Sequence, residues 1–352
     1  MKRFKTQAIA AGFGLFRATG LHRLAARWTR GRGAILMFHR VRPWFARDFA
    51  PNRLLEITPN FLDATLRRVK AQGFDILPLD DALRRLDAPQ PQRPFAVLTF
   101  DDGYRDMAEH ALPVLERHAA PFTLYATTGY AEGKARLWWE ELEAALSRLD
   151  SVEIEAGEGE PLRLPCVSAQ EKADAFEAIY WRLRPGPEDA LLDVVAQLCR
   201  RAGVDGGKLT RDACLDYAGL AKLAAHPLCT IGAHSLTHSM LAKHDEATAR
   251  REMAQSRAIL SERLGCEIRH FAYPVGDPGS AGRREFALAR ELGFASAVTT
   301  RPGMIFPEHR DHFDALPRLS VNGLWQREAF IDVLLSGAPF ALWNRGRRVN
   351  VA

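Results

Sequence analysis

The order of apolar and amphipathic segments predicts an α/β fold: a distorted (β/α)7-type parallel barrel carrying a mostly helical insertion. Three observations predict it. Short apolar runs of the kind that form strands buried on both faces recur along the chain, at residues 34–38, 95–100, 122–127 and 229–233 among others. Segments long enough for crossover helices separate them, as parallel βα units require. The rhythm breaks once, over residues 138–227, and then resumes.

On this reading the chain divides into a basic amphipathic N-terminal segment (1–31), a first part of the barrel (32–137), the insertion (138–227), a second part of the barrel (228–340) and a basic tail (341–352). In the first segment Lys2, Arg3 and Lys5 precede an apolar stretch that Arg17 cuts short, and no small-residue cleavage site follows. Leu21, Leu24 and Trp28 then alternate with Arg23, Arg27 and Arg30. This spells a basic amphipathic helix rather than a cleaved signal, lying on an anionic membrane face or packed on the body.

Residues 34–38 form a buried-type strand that ends at His39. Thr58-Pro59 is a helix start, and Phe61, Leu62, Leu66 and Val69 give that helix an apolar face up to Gly73. A short strand at 75–79, a helix at 80–86, the strand 95–100, a helix at 107–118 and the strand 122–127 follow. Within the insertion, 138–149 and 169–201 read as helices and 152–165 as a hairpin. The pair Trp138-Trp139 is either core or a stacking platform for a sugar ring. The alternation resumes with strand 229–233, helix 245–264, strand 271–273, helix 280–292, strands 294–299 and 315–321, and helix 326–335.

Composition sets the outer limits. Hydrophobic residues at 47% and charged residues at 26% are ordinary for a globular chain, and no apolar run approaches the roughly 20 residues of a membrane span. The five cysteines are odd in number and lack CxxC spacing, which argues against a disulfide framework and a thiolate zinc site and for a reducing compartment. The net charge of +5 is uneven: residues 1–42 hold ten Lys or Arg and no acid, so the rest is net acidic. A basic arm on an acidic body suggests contact with an anionic surface, and the arm carries no nucleic-acid-binding motif.

In parallel α/β folds chemistry sits at the carboxyl ends of strands. His39, Asp101, Asp102, His234 and Tyr273 all fall at such predicted ends. Asp101-Asp102-Gly103 is a solvated turn or, since Gly103 lets the chain bend, a pair of carboxylates facing one cleft. His234 and His238, four apart, would share a face on a helical turn, and with Asp102 they make a two-His, one-carboxylate metal set. Asp101 is then the candidate base for a water proton, Arg269 either the cation that orients it or a surface arginine, a backbone N–H near Tyr273-Pro274 the candidate oxyanion donor, with Tyr273 itself a donor site or a packing residue, and His39 either the acid for a leaving amine or a core histidine.

Thr99-Phe100-Asp101-Asp102-Gly103, His234-Ser235-Leu236-Thr237-His238 and Arg269-His270-Phe271-Ala272-Tyr273-Pro274-Val275-Gly276 resemble the three chief motifs of the polysaccharide deacetylase family, which includes chitooligosaccharide, chitin and peptidoglycan deacetylases. The resemblance spans about residues 34–323, interrupted by the insertion. It implies a distorted (β/α) barrel and metal-dependent hydrolysis of N-acetyl groups. Asp101 becomes the base, Asp102, His234 and His238 the metal ligands, Arg269 the positioning residue, and Ser235 a brace for the His loop. Many members carry a late Leu-x-His; here the late strand reads Leu316-Pro317-Arg318-Leu319-Ser320-Val321 without His. The branch resembling exopolysaccharide deacetylases places an acid at the end of an early strand, where His39 stands.

The expectation is therefore a metal-dependent N-deacetylase, with Zn2+ first and Co2+ or Ni2+ next, acting on an N-acetylated saccharide. It would be cytoplasmic, free or peripheral on the inner membrane, and would not bind nucleic acid. Rival readings are a deformylase or other amidase on the same site, a catalytically inactive glycan binder, and a membrane-surface scaffold.

Overall fold

Strand β1 (Gly33–Phe38) pairs with two partners, and this closes the barrel. In a computed structural model describing residues 2–88, 92–155 and 160–351, with side chains from residue 10 onward, the sheet strands after β1 are β2 (Asp75–Ile76), β3 (Phe95–Phe100), β4 (Phe122–Ala126), β5 (Cys229–Ala233), β6 (His270–Ala272), β7 (Ser296–Pro302) and β8 (Leu316–Ser320). Their order is β1-β8-β7-β6-β5-β4-β3-β2, and β1 also pairs with β3. Seven parallel strands thus form a closed ring. β2 attaches to β3 at Phe95 and Ala96, below the β4 pairing at Leu98–Phe100 on the same edge.

Register along β1 and β3 runs from Gly33 opposite Phe95 to Phe38 opposite Phe100. One step further come His39 and Asp101, and the Asp101 N–H donates to the Phe38 carbonyl at 3.0 Å. Side chains alternate across a strand. Ile35, Phe95, Val97, Tyr125, Ala272, Val298 and Leu316 form a small cluster inside the barrel. Leu36, Phe38, Leu98, Phe100 and Phe271 belong to the larger layer between strands and helices. Gly232 has the inward position on β5 because a Cβ there would lie 2.5 Å from the Tyr125 ring.

The outer layer is completed by helices whose starts were legible. Thr58 caps Pro59–Ala71 by accepting from the Phe61 N–H at 3.1 Å, and Asp245 caps Glu246–Leu264. The helix Leu79–Asp87 closes the amino-terminal end of the barrel through Leu79, Ala82 and Leu86.

The insertion is helical as expected, with helices Trp138–Arg148, Ala169–Leu183, Glu188–Ala202, Gly206–Ala213 and Tyr217–Ala224. The stretch expected as one helix over 169–201 is two, broken at Pro185 and Pro187, since proline lacks the N–H a helix interior needs. The hairpin pairs Ser151–Ile154 with Leu162–Pro165. The insertion has its own core, around Leu142, Ile179, Leu191 and Leu198, which fuses with the barrel through Tyr104, Tyr130 and Met240. The basic N-terminal segment is also two helices, Lys2–Thr19 and Leu21–Thr29, separated at Gly20. They meet the C-terminal helices Glu328–Leu335 and Ala338–Trp343. Among the described residues no helix is long and apolar enough to cross a membrane, and all five cysteines are free.

Candidate active site

The inward parity of four strands leads from the small inner core up to one cavity of about 320 Å³ at the carboxyl mouth of the barrel. Met37 and His39 follow Ile35, Asp101 follows Val97, Thr300 follows Val298, and Ser320 follows Leu316; all of them line the cavity. Asp102, His234 and His238 complete its polar wall, and the insertion supplies Trp138, Trp139 and Tyr180. The two tryptophans are both core and wall: each is buried and each faces the cavity.

Asp101 and Asp102 are adjacent, fully buried and held differently. Arg318, also buried, donates to Asp101 Oδ1 and Oδ2 through its two terminal nitrogens, each at 2.7 Å. Its Nε donates to the Thr299 carbonyl at 2.9 Å and a terminal nitrogen to Thr99 Oγ1 at 3.2 Å. Burial alone would raise the Asp101 carboxyl, but the guanidinium beside it wins and holds it below its ordinary range. Each carboxylate oxygen keeps a second lone pair free for a proton.

Asp102 turns away by adopting a left-handed backbone, φ 71°, followed by Gly103 at φ 72°. Its Oδ1 has no hydrogen-bond partner and lies 3.4 Å from Nε2 of both His234 and His238. Burial pushes this carboxyl up, and the two imidazoles more than offset it, so it stays low. Nδ1 of His234 lies 2.7 Å from the Ala272 carbonyl, an acceptor that fixes the proton on Nδ1 and leaves Nε2 to face the cavity. His238 packs between Tyr130, 5.8 Å between ring centroids, and Trp139, 4.9 Å.

The His pair does not lie on a helical turn, as its spacing suggested, but on the loop after β5. Ser235 and His238 are both left-handed, at φ 62° and 64°. Ser235 Oγ accepts from the His238 N–H at 2.9 Å, so it does brace the loop. Glu252, buried on the helix Glu246–Leu264, accepts from the Leu236 and Thr237 N–H groups at 3.0 Å each. Of the six non-glycine residues with positive φ among those described, Asp102, Ser235, His238 and Val275 belong to the candidate site and its His loop. Left-handed backbone disfavours side chains and persists where the surrounding structure demands it, often at functional sites.

Two expectations are corrected. Arg269 precedes β6 and so stands at the amino-terminal end of the barrel, half-exposed, 3.4 Å from Asp80. The cation on Asp101 is Arg318 instead. Its signal in the sequence was a lone charge inside the apolar run of β8, which needs a buried partner. Tyr273 follows Ala272 and therefore faces the outer layer. Its hydroxyl donates to the Asp314 carbonyl at 2.8 Å and its N–H to Val298 at 3.1 Å, while Pro274 has no N–H. Neither Tyr273 nor Pro274 therefore offers an oxyanion donor.

His39 is half-buried in the cavity wall. Burial holds its imidazole below the ordinary range, against the raising pull of Asp102 and Asp101.

The residues present fit a divalent cation. Asp102, His234 and His238 offer ligand atoms within 4.8 Å of one another, the one such group among the described residues. A separation of 3.4 Å is close to the edge of a tetrahedron whose arms are about 2.1 Å, the usual metal–nitrogen length. The orphaned Oδ1 is the acceptor such an ion would satisfy.

Barrel and site together define a class: a seven-stranded (β/α) barrel with an Asp-His-His set that could hold a metal ion and a second, guanidinium-bound carboxylate at its mouth. A family model described as polysaccharide deacetylase matches residues 88–155 and 210–297, and the unmatched stretch between them lies in the insertion. Over these residues the chain carries a domain that matches the polysaccharide deacetylase family. Among solved structures, IcaB from Ammonifex degensii superposes with a TM-score of 0.54 at 17% identity, covering 87% of this chain and 97% of that one. A Streptococcus pyogenes deacetylase, PplD, in complex with acetate gives 0.53 at 17%, covering 83% and 92%. BC0361, a polysaccharide deacetylase from Bacillus cereus, gives 0.53 at 14%, covering 86% and 68%. At these identities the likeness establishes the fold. No curated protein matches the chain.

Proposed function

We propose that this protein is a metal-dependent hydrolase that removes N-acetyl groups from an amino sugar in a poly- or oligosaccharide or a glycan precursor. One observation carries the reading: two consecutive carboxylates meet opposite partners, Asp101 a guanidinium and Asp102 two imidazoles, inside one cavity. A structural ion pair needs one such carboxylate. Water-driven amide hydrolysis needs both, one to hold a cation and one to take a proton.

Asp102, His234 and His238 would hold the ion, with Zn2+ the first candidate and Co2+ or Ni2+ compatible with the same donor set. When bound, it supplies an acidified water and polarises the acyl oxygen. Asp101, kept ionised by Arg318, accepts the water's proton. His39 faces the same cavity and is the group placed to pass a proton to the leaving nitrogen. With the Tyr273 N–H engaged, the oxyanion donor passes to Val275, the next cavity residue with an N–H. Trp138, Trp139 and Tyr180 offer apolar faces to sugar rings.

The test is acetate release from N-acetylglucosamine oligomers after chelation and after zinc or cobalt add-back, with Asp101→Asn alongside. Metal-restored release that falls at least roughly hundredfold in Asp101→Asn is expected. A protein that binds the ion yet releases no acetate excludes this substrate class, and one that binds no ion excludes the mechanism.

A further inference from the structure

Next to the candidate site lies a second cavity, also about 320 Å³, formed where the two ends of the chain meet. Its wall is aromatic and aliphatic, with Phe13, Phe16, Phe61, Trp325, Phe330 and Phe340 prominent. Ser320 lines both cavities, so the two adjoin at the end of β8, two residues beyond Arg318. Three arginines line two further clefts that share Phe330 with the apolar cavity. Arg17 and Arg327 line a cleft against Phe330. Arg53 and Arg327 line another against Trp325, and Arg53 adjoins Leu54 of the candidate site.

The surface around the apolar cavity continues its chemistry. Leu15, Leu21, Leu24 and Trp28 on the N-terminal helices are 52–70% exposed, with Arg17, Arg23 and Arg27 interleaved. Leu342 and Trp343 are exposed beside them, followed by Arg345, Arg347 and Arg348. No acid occurs in residues 1–42, and none follows Asp332. Exposed apolar side chains interleaved with cations are the pattern of a helix lying in a membrane interface.

We propose that the apolar cavity holds the hydrocarbon tail of the substrate, and that the protein acts on an amino sugar carried by an anionic lipid. The N-terminal helices rest on the bilayer that supplies this lipid. The inference rests on the amide-hydrolysis reading of the adjoining site. Because the two cavities adjoin at Ser320, one amphiphile would seat its sugar in the polar cavity and its tail in the apolar one. Arg17, Arg53 and Arg327, on the clefts that border the apolar cavity at Phe330, suit a negatively charged linkage such as a phosphate.

The experiment uses the full-length, metal-loaded protein and two substrates, N-acetylglucosamine joined through a phosphate to a dodecyl chain or to a methyl group. The dodecyl compound should show at least roughly tenfold higher kcat/KM, given the burial gained per methylene. Phe16→Asp and, at an exposed position, Leu342→Asp should remove that gain and leave the methyl compound's rate unchanged. In parallel, dodecyl phosphate should displace a bound apolar fluorophore from the wild type but not from Phe16→Asp. Equal rates on the two compounds, with no displacement, would overturn the tail site and leave the deacetylation reading intact. Displacement that Phe16→Asp abolishes, without acetate release from either compound, would support the tail site while refuting deacetylation. Concentration-dependent dimerisation abolished by Leu342→Asp, with no displacement, would assign the cavity to a second copy and overturn the proposal.

Discussion

Arg318 grips Asp101 with both terminal nitrogens of its guanidinium, 2.7 Å to each carboxylate oxygen, from a position 217 residues further along the chain. The pair spans the inside of the barrel from β8 to the end of β3, and both members are fully buried. A buried fork of this kind sets the direction of the carboxylate as well as its charge.

The first prediction follows from that geometry. Arg318→Lys keeps a charge but loses the fork, so activity should fall by roughly two orders of magnitude with the fold retained. Arg318→Met leaves a buried carboxylate unpaired and should cost about 3–5 kcal/mol of stability. Adding Asp101→Asn to Arg318→Met should restore part of that loss. Urea unfolding of the four proteins checks the cycle, and equal stability of Arg318→Met and wild type would show that the pair does not matter energetically.

Arg269 provides the contrasting case. Its side chain is 46% exposed and, among the described residues, forms an ion pair with Asp80 alone, at 3.4 Å, so Arg269→Ala should leave kcat/KM within about twofold and stability within roughly 0.5 kcal/mol. A large loss of activity in this variant would return the positioning role to the amino-terminal end of β6.

Glu252 does not line the cavity, yet two N–H groups of the loop between His234 and His238 depend on it. Glu252→Ala strands both donors. It should weaken zinc binding roughly 10- to 100-fold and lower stability by about 1–3 kcal/mol. Competition with a chromogenic chelator measures the first effect, and unchanged affinity would mean that Ser235 alone holds the loop.

Glu143, which accepts from the cavity residue Asn52 at 2.9 Å, sets a pH dependence of stability. Burial, with Glu140 nearby, pushes its carboxyl up to about 7 in the folded protein, although Arg47 opposes the shift. In the unfolded chain it titrates near its ordinary value, so between roughly pH 4.5 and 7 the folded state holds a proton that the unfolded state has lost. Stability from this group is therefore full below that window and declines as pH rises through it. Glu143→Gln should flatten the decline and exceed wild type by roughly 2 kcal/mol at pH 8. Melting temperatures from pH 5 to 8 decide this, and parallel curves for the two proteins would refute it.

The sequence by itself determined the elements and the motif residues. Apolar runs marked the barrel strands, Thr58 and Asp245 marked helix starts, and the motif residues Asp102, His234 and His238 are ones the fold brings within 4.8 Å of one another. Only the tertiary structure decided which side chains look inward. Strands buried on both faces carry no polar–apolar alternation, so nothing local tells that Tyr273 faces the helices and Arg318 the lumen. Nor does a one-dimensional pattern show that Arg269 stands at the amino-terminal end of its strand. The left-handed turns at Asp102, Ser235 and His238 were equally hidden, because they are imposed by partners such as Glu252 rather than by local preference. Barrel closure brings these distant residues together, and it is a property of strand register that exists only once β1 has paired with both β3 and β8.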